Sequence, residues 1–411
     1  MKKGGAIAAA LASVVAITAA NNSHAGSFAL KERSAKSQGV SFAGASAGSG
    51  GIQSMGFNPA VVTMVEEGTV LSGGLSLIQP IADGVATING QSVDAAEFAG
   101  VTNGYIAHRL DPDLWVGLSV FTPFGLATAY EPDFVGAADG LTSQLQTIQF
   151  SPTLGIQPFN GVSFAISANI LYANARLTSA IVNLDGNQIA AGFTVGALFE
   201  PTSTTTLGIA YDHGYDLSLP GTATFRPAAA AIPSLAPLAG ATVPAVADAS
   251  LPATVSAGIV QDIGSSFRVM GELQYQFWSA FDSIDTTITT PFGDALLSDE
   301  QNYDDAFFAA IGAEVDVLDE LAVRAGAAWD QTPTIDGIEG RTVRVPDEDR
   351  IWLSIGATYE MNDHMDFDLG YSYLFTIDDP VVTLRNGPAA GSTVVYDGGA
   401  HIFSVGGSLK F

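Results

Sequence analysis

Residues 267–277 read Phe-Arg-Val-Met-Gly-Glu-Leu-Gln-Tyr-Gln-Phe. Phe267, Val269, Gly271, Leu273, Tyr275 and Phe277 share one register, and Arg268, Met270, Glu272, Gln274 and Gln276 share the other. A period of two puts the two sets on opposite faces of a β-strand. The run matches the ~10 residues that a tilted strand needs to cross a bilayer. Strands of soluble sandwiches usually stop at about 5–6 residues. The same alternation returns at Phe307–Val317, Leu321–Asp330, Ile351–Met361 and Met365–Phe375. It returns again at the C-terminus, where Phe403, Val405, Gly407, Leu409 and Phe411 oppose Ser404, Gly406, Ser408 and Lys410. The last residue, Phe411, is an aromatic on the apolar register.

Composition agrees. The 411 residues include 15 Lys+Arg, 42 Asp+Glu and no Cys, and mean hydropathy is +0.29. Charged residues make up 14% of the chain, against roughly a quarter in an ordinary soluble domain. Beyond the first 20 positions no apolar run reaches the ~18 residues of a spanning helix. High apolar content without apolar runs is what membrane strands produce, since each mixes lipid-facing and lumen-facing residues. A net charge of −27 argues against nucleic acid as a partner. The lack of Cys excludes disulfides and thiolate metal sites.

Residues 1–25 have the layout of an export signal: Lys2 and Lys3, an apolar Ala6–Ala20, then Ser23-His24-Ala25 as a small-x-small cleavage site. Its removal leaves 13 basic and 42 acidic residues, a net charge of −29. Residues 26–66 follow, rich in Gly, Ser and Ala and without a clean period, yet carrying Lys31, Arg33 and Lys36. They are expected to form a plug, or hatch, inside a barrel made by residues 67–411.

Turns supply the strand count. Short turn-forming clusters stand at Asp111–Asp113, Pro158–Gly161, Glu200–Ser203, Gly264–Ser266, Leu318–Glu320 and Asn362–His364. Longer, less regular segments alternate with them around 84–95, 126–145, 180–190, 217–250, 280–303, 331–347 and 377–396. Outer-membrane barrels have short periplasmic turns and long external loops. Six turns and seven loops predict an all-β chain: a fourteen-stranded antiparallel transmembrane barrel with both ends in the periplasm.

Several stretches now carry a resemblance. Gly26-Ser27-Phe28-Ala29-Leu30, Asn58-Pro59-Ala60, Phe124-Gly125-Leu126-Ala127-Thr128, Leu171-Tyr172-Ala173 and Pro346–Ser354 are similar, in this order, to the FadL-type long-chain fatty acid transporters. That family also includes aromatic-hydrocarbon uptake channels. The resemblance implies a monomeric, plugged barrel in the outer membrane, without a cofactor. It would capture a long-chain fatty acid or other hydrophobic small molecule at its external loops and release it sideways beside a kinked strand. Pro123, Phe124 and Gly125 are the expected kink, since Pro cannot donate to the ladder and an interior Gly marks a bend. Asn58-Pro59 matches the hatch motif. Phe28 matches a residue that reaches the ligand, although plug packing explains it equally well.

Through the same resemblance, two basic positions that receive the substrate carboxylate in fatty-acid members become Ser179 and Asp304. By strand parity both are expected to face the lumen. Arg176 lies on the opposite register, leaving Arg341 and Arg344, in the loop before a late strand, to reach inward. Arg350 with Asp347 or Asp349 is expected to be a structural lumen pair. The acidic stretch Asp294, Asp299, Glu300, Asp304 and Asp305 suits either Ca²⁺ or a rim bridged to lipopolysaccharide by divalent ions. The five His have no metal-site spacing. The apolar, Pro-broken run 225–251 suits ligand capture. A general porin would be open and trimeric, and an outer-membrane lipase would need a nucleophile, His and acid together. Neither pattern is evident.

Overall fold

The computed structural model describes residues 28–291 and 293–411; the expected export signal lies outside them. Fourteen antiparallel strands form one closed barrel. They are β1 (Thr69–Ala86), β2 (Ala99–Asp111), β3 (Leu114–Phe121 and Gly125–Ala129), β4 (Thr142–Phe159) and β5 (Val162–Thr178). Next come β6 (Val182–Thr202), β7 (Thr205–Asp212 and Tyr215–Phe225), β8 (Thr242–Leu251 and Thr254–Ile263) and β9 (Phe267–Gln276 and Ser283–Thr290). The series ends with β10 (Gly293–Glu300 and Ala306–Leu318), β11 (Leu321–Asp330), β12 (Arg350–Asn362), β13 (Met365–Thr376) and β14 (Thr393–Lys410). The barrel closes where β1 pairs with β14, from Val70↔Lys410 to Ala86↔Val394.

The period-two faces are where the sequence put them. On β9 Phe267 and Leu273 are exposed to the lipid side, while Met270, Glu272, Gln274 and Gln276 are buried toward the lumen. Closure pairs the first strand with the last, so along that seam the backbone groups are satisfied strand to strand, as hydrocarbon demands. All six short turns fall within a residue or two of their expected places.

The external side differs from expectation. The supposed loop at 180–190 is a three-residue link, 179–181, and β6 starts at Val182. The segment 280–303 is largely a hairpin, Ser283–Thr290 against Gly293–Glu300. Much of 217–250 is also strand, flanking a loop at 226–241. Strands therefore run to 21 residues, as in Val182–Thr202, because the ladder continues above the membrane. There Asn183, Asp185 and Asn187 sit on a strand that faces water, so their turn-like composition marks solvent and not a turn.

Residues 28–66 lie inside the barrel and are almost wholly buried. They hold one helical turn, α1 (Ala35–Gln38), capped by Ser34, whose Oγ accepts from Ser37 N at 3.0 Å. Three 3₁₀ turns follow, at Ala45–Ala47, Gly51–Gly56 and Pro59–Met64. Small residues let this segment lie against the wall. A Cβ at Gly208 would come within 1.9 Å of the Ser46 carbonyl oxygen, and one at Gly326 within 2.3 Å of Val40 backbone. Polar ties finish the fit: Gln38 Nε2 donates to Ile402 O at 3.1 Å, Gln53 Nε2 to Ser72 Oγ at 3.0 Å, and Ser46 N to Glu272 at 3.0 Å.

Five strands break toward their outer ends: β3 at Thr122–Phe124, β7 at His213-Gly214, β8 at Pro252-Ala253, β9 at Phe277–Asp282 and β10 at Gln301–Asp305. An apolar cluster including Phe28, Phe124, Tyr215, Trp278, Phe281 and Tyr303 collects among these breaks.

Candidate functional site

The break in β3 opens a gap in the wall. The β2–β3 ladder runs from Asp111↔Leu114 only as far as Gly104↔Val120. Beyond it, Ala99–Asn103 of β2 pair with β1 alone, and Gly125–Ala129 of β3 pair with β4. A single bridge, Ala96↔Thr128, spans the far end. The gap lies at the level of Leu77 and Phe403, both exposed on the outer face. It is a breach in the lipid-facing belt.

Two devices satisfy the backbone that the break sets free. Thr147 Oγ1 accepts from Phe124 N at 3.1 Å and donates to Phe124 O at 2.5 Å, replacing ladder bonds with a side chain. The start of the plug then adds itself as a strand. Leu30 N donates to Pro123 O at 2.8 Å and Gly125 N to Phe28 O at 2.9 Å, with Ala29 opposite Phe124. From there the chain crosses the gap, where Tyr105 Oη donates to Arg33 O at 2.7 Å. Residues 28–33 thus close the breach from inside. The absence of a side chain at Gly125 gives the Leu30 side chain its place, since a Cβ there would stand 2.9 Å from Leu30 Cδ1.

Phe28 forms the floor of an apolar pocket. Its ring meets Trp278 edge-on at 4.8 Å and Phe281 at 5.1 Å, with Phe124 and Tyr303 at 6.4 and 6.5 Å. The pocket above it has a volume of about 90 Å³, between Leu126, Leu145 and Leu177 on one side and Leu217, Leu219 and Leu251 on the other. Alternation explains the second set: Leu217, Leu219, Ala245 and Ala247 are the inward residues of β7 and β8 where these rise above the membrane. Farther out lies a groove of about 1040 Å³ lined by Phe134, Phe225, Ile232, Leu235 and Val343 among others. Leu177, Leu184, Ile284, Thr286 and Arg344 border both spaces, so the two are adjacent. Below Phe28 the lumen turns polar, with Lys31, Arg33, Asp212 and His213 around a cavity of about 40 Å³.

Arg344 is the cation at the junction. Its Nη1 donates to Ser143 Oγ at 3.1 Å and to the carbonyls of Thr178 and Thr142 at 3.4 and 3.5 Å. Its Nε has no hydrogen-bond partner and faces Asp299 Oδ2 at 3.7 Å. Burial pulls the guanidinium below its ordinary pKa, and the Asp299 charge opposes that pull.

The other expected site residues divide. Pro123, Phe124 and Gly125 lie at the break in β3, and Phe28 and Arg344 border the inner pocket. Ser179 borders the outer groove, but its Oγ accepts from Ile181 N and Val182 N at 3.1 and 3.2 Å, so it shapes the turn. Asp304 does not face the lumen. It is exposed, because Gln301–Asp305 is a break with Asn302 at φ 50°, and parity counted through it is lost. Tyr303 points inward instead. Arg341 is buried but turned into its own loop, held by Glu348 at 2.7 Å and Asp336 at 3.2 Å. Asn58 and Pro59 lie away from the pocket. Asn58 Oδ1 caps the turn at Ala60 N (2.9 Å), and its Nδ2 ties Ser46 O (2.7 Å) to Ala197 O of β6 (3.0 Å).

Arg350 pairs with Asp347 at 2.9 Å and also with Asp330 at 3.1 Å. The acidic stretch does not gather. Asp299 faces Arg344 and Arg385, Asp305 accepts from Tyr275 Oη at 2.7 Å, and among the described residues no cluster of three acids or His has metal-holding geometry. Sequence reasoning missed Trp278, Phe281 and Tyr303. For Trp278 and Phe281 the one signal was the aromatic density of 275–281, interrupted by the end of a regular strand; Tyr303 carried no such signal.

A family model described as outer membrane protein transport protein (OMPP1/FadL/TodX) matches residues 16–411. The long-chain fatty acid transport protein of Escherichia coli K12 is 24% identical over 412 residues, covering 89% of this chain and 91% of its own length. Among solved structures, a Pseudomonas aeruginosa FadL homologue superposes with a TM-score of 0.82 at 19% identity, covering 94% of this chain and all of that one. The P. putida toluene transporter TodX gives 0.71 at 15% identity, covering 92% and 98%.

Proposed function

The chain belongs to the outer-membrane transport protein family OMPP1/FadL/TodX, and from that premise we propose that it carries long-chain fatty acids or similar hydrophobic molecules inward and releases them sideways. The outer groove captures the molecule, the inner pocket receives its apolar chain, and the β2–β3 gap lets it into the bilayer. The observation that carries this reading is that residues 28–33 seal a breach in the lipid-facing belt while Phe28 floors the pocket directly above. The pocket, at about 90 Å³, is well below the ~300 Å³ usual for small-molecule sites. Withdrawing Phe28–Leu30 would enlarge it and open the gap in a single movement. Burying a hydrocarbon chain gains about 0.8 kcal/mol per CH₂, so an exit into lipid keeps that gain, whereas the polar lumen below Phe28 would forfeit it.

Arg344 is the group placed to receive a carboxylate: it borders both spaces, and its Nε makes no hydrogen bond but only the 3.7 Å ion pair with Asp299, which an incoming carboxylate would share or replace. A hydrocarbon needs only the apolar pocket. The two substrates therefore separate in an uptake assay with labelled oleate and labelled toluene, in cells lacking their own transporter. Arg344→Ala is expected to lower oleate uptake about tenfold at limiting concentration, the loss of a charged hydrogen bond of about 1.5 kcal/mol, and to leave toluene uptake unchanged. Equal loss of both would contradict the carboxylate role. Uptake of neither substrate by the unaltered chain would contradict the function.

A further inference from the structure

The outer wall has a second feature at the foot of the gap. Gly73 of β1 pairs with Gly104 of β2 on one side and with Gly407 of β14 on the other. All three occupy the outward register: the neighbouring Ser72 and Tyr105 point inward and are buried, and Ser72 Oγ bonds the plug residue Gln53. Three adjacent strands thus present bare backbone to the lipid at one level. The result is a groove of about 370 Å³ whose rim includes Leu71, Ile106, Leu118, Val120, Phe367 and Leu409. Val120 and Gly104 form the last rung of the β2–β3 ladder before it opens. The groove therefore begins where the gap ends.

We propose that this glycine-floored groove is the receiving site for the hydrocarbon chain of the released molecule, which lies along the outer wall as it leaves the β2–β3 gap. The proposal rests on the sideways release argued above. Its volume falls within the ~300–1,000 Å³ of small-molecule sites, and its lining is that of an acyl-chain track. Small residues let a partner approach the backbone closely inside a membrane, where association is driven by van der Waals packing because lipid tails are as apolar as the wall. Such a groove holds a chain by contact area alone and gives it up to the bilayer readily. Leu71 and Gly73 follow the start of β1 at Thr69. At about 3.3 Å per residue, Gly73 stands only about 13 Å along β1 from Thr69, toward the periplasmic end of the wall. The molecule is delivered toward the inner leaflet.

Filling the groove tests this. Leu118→Trp adds bulk at the rim on an outward position, and Gly104→Leu adds it at the floor. A third variant, Ile355→Trp, alters an exposed lipid-facing residue of β12 that does not line the groove. A fourth, Ala29→Cys with Phe124→Cys, locks the plug strand across the kink. Uptake of labelled oleate is measured in cells, and equilibrium oleate binding on purified protein in detergent. Both groove variants are expected to lower the uptake rate at least threefold with binding unchanged, while Ile355→Trp changes neither. Leu118→Trp carries the test should Gly104→Leu not fold. Normal uptake by the groove variants, with the oxidised locked chain inactive, would overturn the groove and spare sideways release. Normal uptake by the oxidised locked chain would overturn both.

Discussion

Two seams of this barrel do opposite things. Where β14 meets β1, the ladder is unbroken from Val70↔Lys410 to Ala86↔Val394. Where β2 meets β3, it stops at Gly104↔Val120 and leaves the rest of both edges facing a gap. In hydrocarbon an unpaired backbone group costs several kcal/mol, so a strand cannot simply part from its neighbour. Here the β3 edge is satisfied from within, by Thr147 and by the first strand of the plug. The gap and the plug are therefore one device. The wall is open only where something inside can close it.

Each seam can be broken separately. The largest effect is expected at the continuous one: Phe403→Arg places a cation on the lipid face of β14, which costs about 2–4 kcal/mol near the bilayer midplane. Denaturant unfolding in lipid vesicles should show that loss. A much smaller change would mean that the seam lies closer to the interface than Phe403 suggests. At the interrupted seam, Thr147→Val removes the hydroxyl that serves both Phe124 N and Phe124 O, at an expected cost of about 1–2 kcal/mol. Amide exchange at Phe124 should then rise roughly 5–30-fold while exchange on β14 stays as it was. Unchanged exchange at Phe124 would mean that the plug strand alone holds the kink.

Much of this was legible in the sequence, for physical reasons that vary by region. Within the membrane each side chain has either lipid or lumen to face, so alternation was clear on β9 to β14 and the turns between them fell out as short polar breaks. Above the membrane the outward face meets water instead of lipid, so polar residues on it no longer distinguish a strand from a loop. Asn183, Asp185 and Asn187 therefore looked like a loop and proved to be strand. Asp304 failed for a related reason: the left-handed Asn302 breaks β10 and resets the parity on which its inward placement depended. The kink at Pro123–Gly125 was visible because Pro and Gly have positional meaning in a sheet. The plug was visible only as composition, since its turns are set by the glycines of the wall it touches. Trp278, Phe281 and Tyr303, which complete the cage around Phe28, come from breaks in two strands and share no spacing that sequence alone displays.

The central claim is that the plug strand must leave the kink for transport to occur. Ala29 and Phe124 face each other as a non-hydrogen-bonded antiparallel pair, whose Cα atoms stand about 4.5 Å apart, within disulfide range. The chain has no Cys of its own, so Ala29→Cys with Phe124→Cys gives one reducible lock. Oleate uptake is measured before and after reductant. Uptake should be negligible in the oxidised form and recover on reduction. Full uptake with the disulfide intact would contradict it.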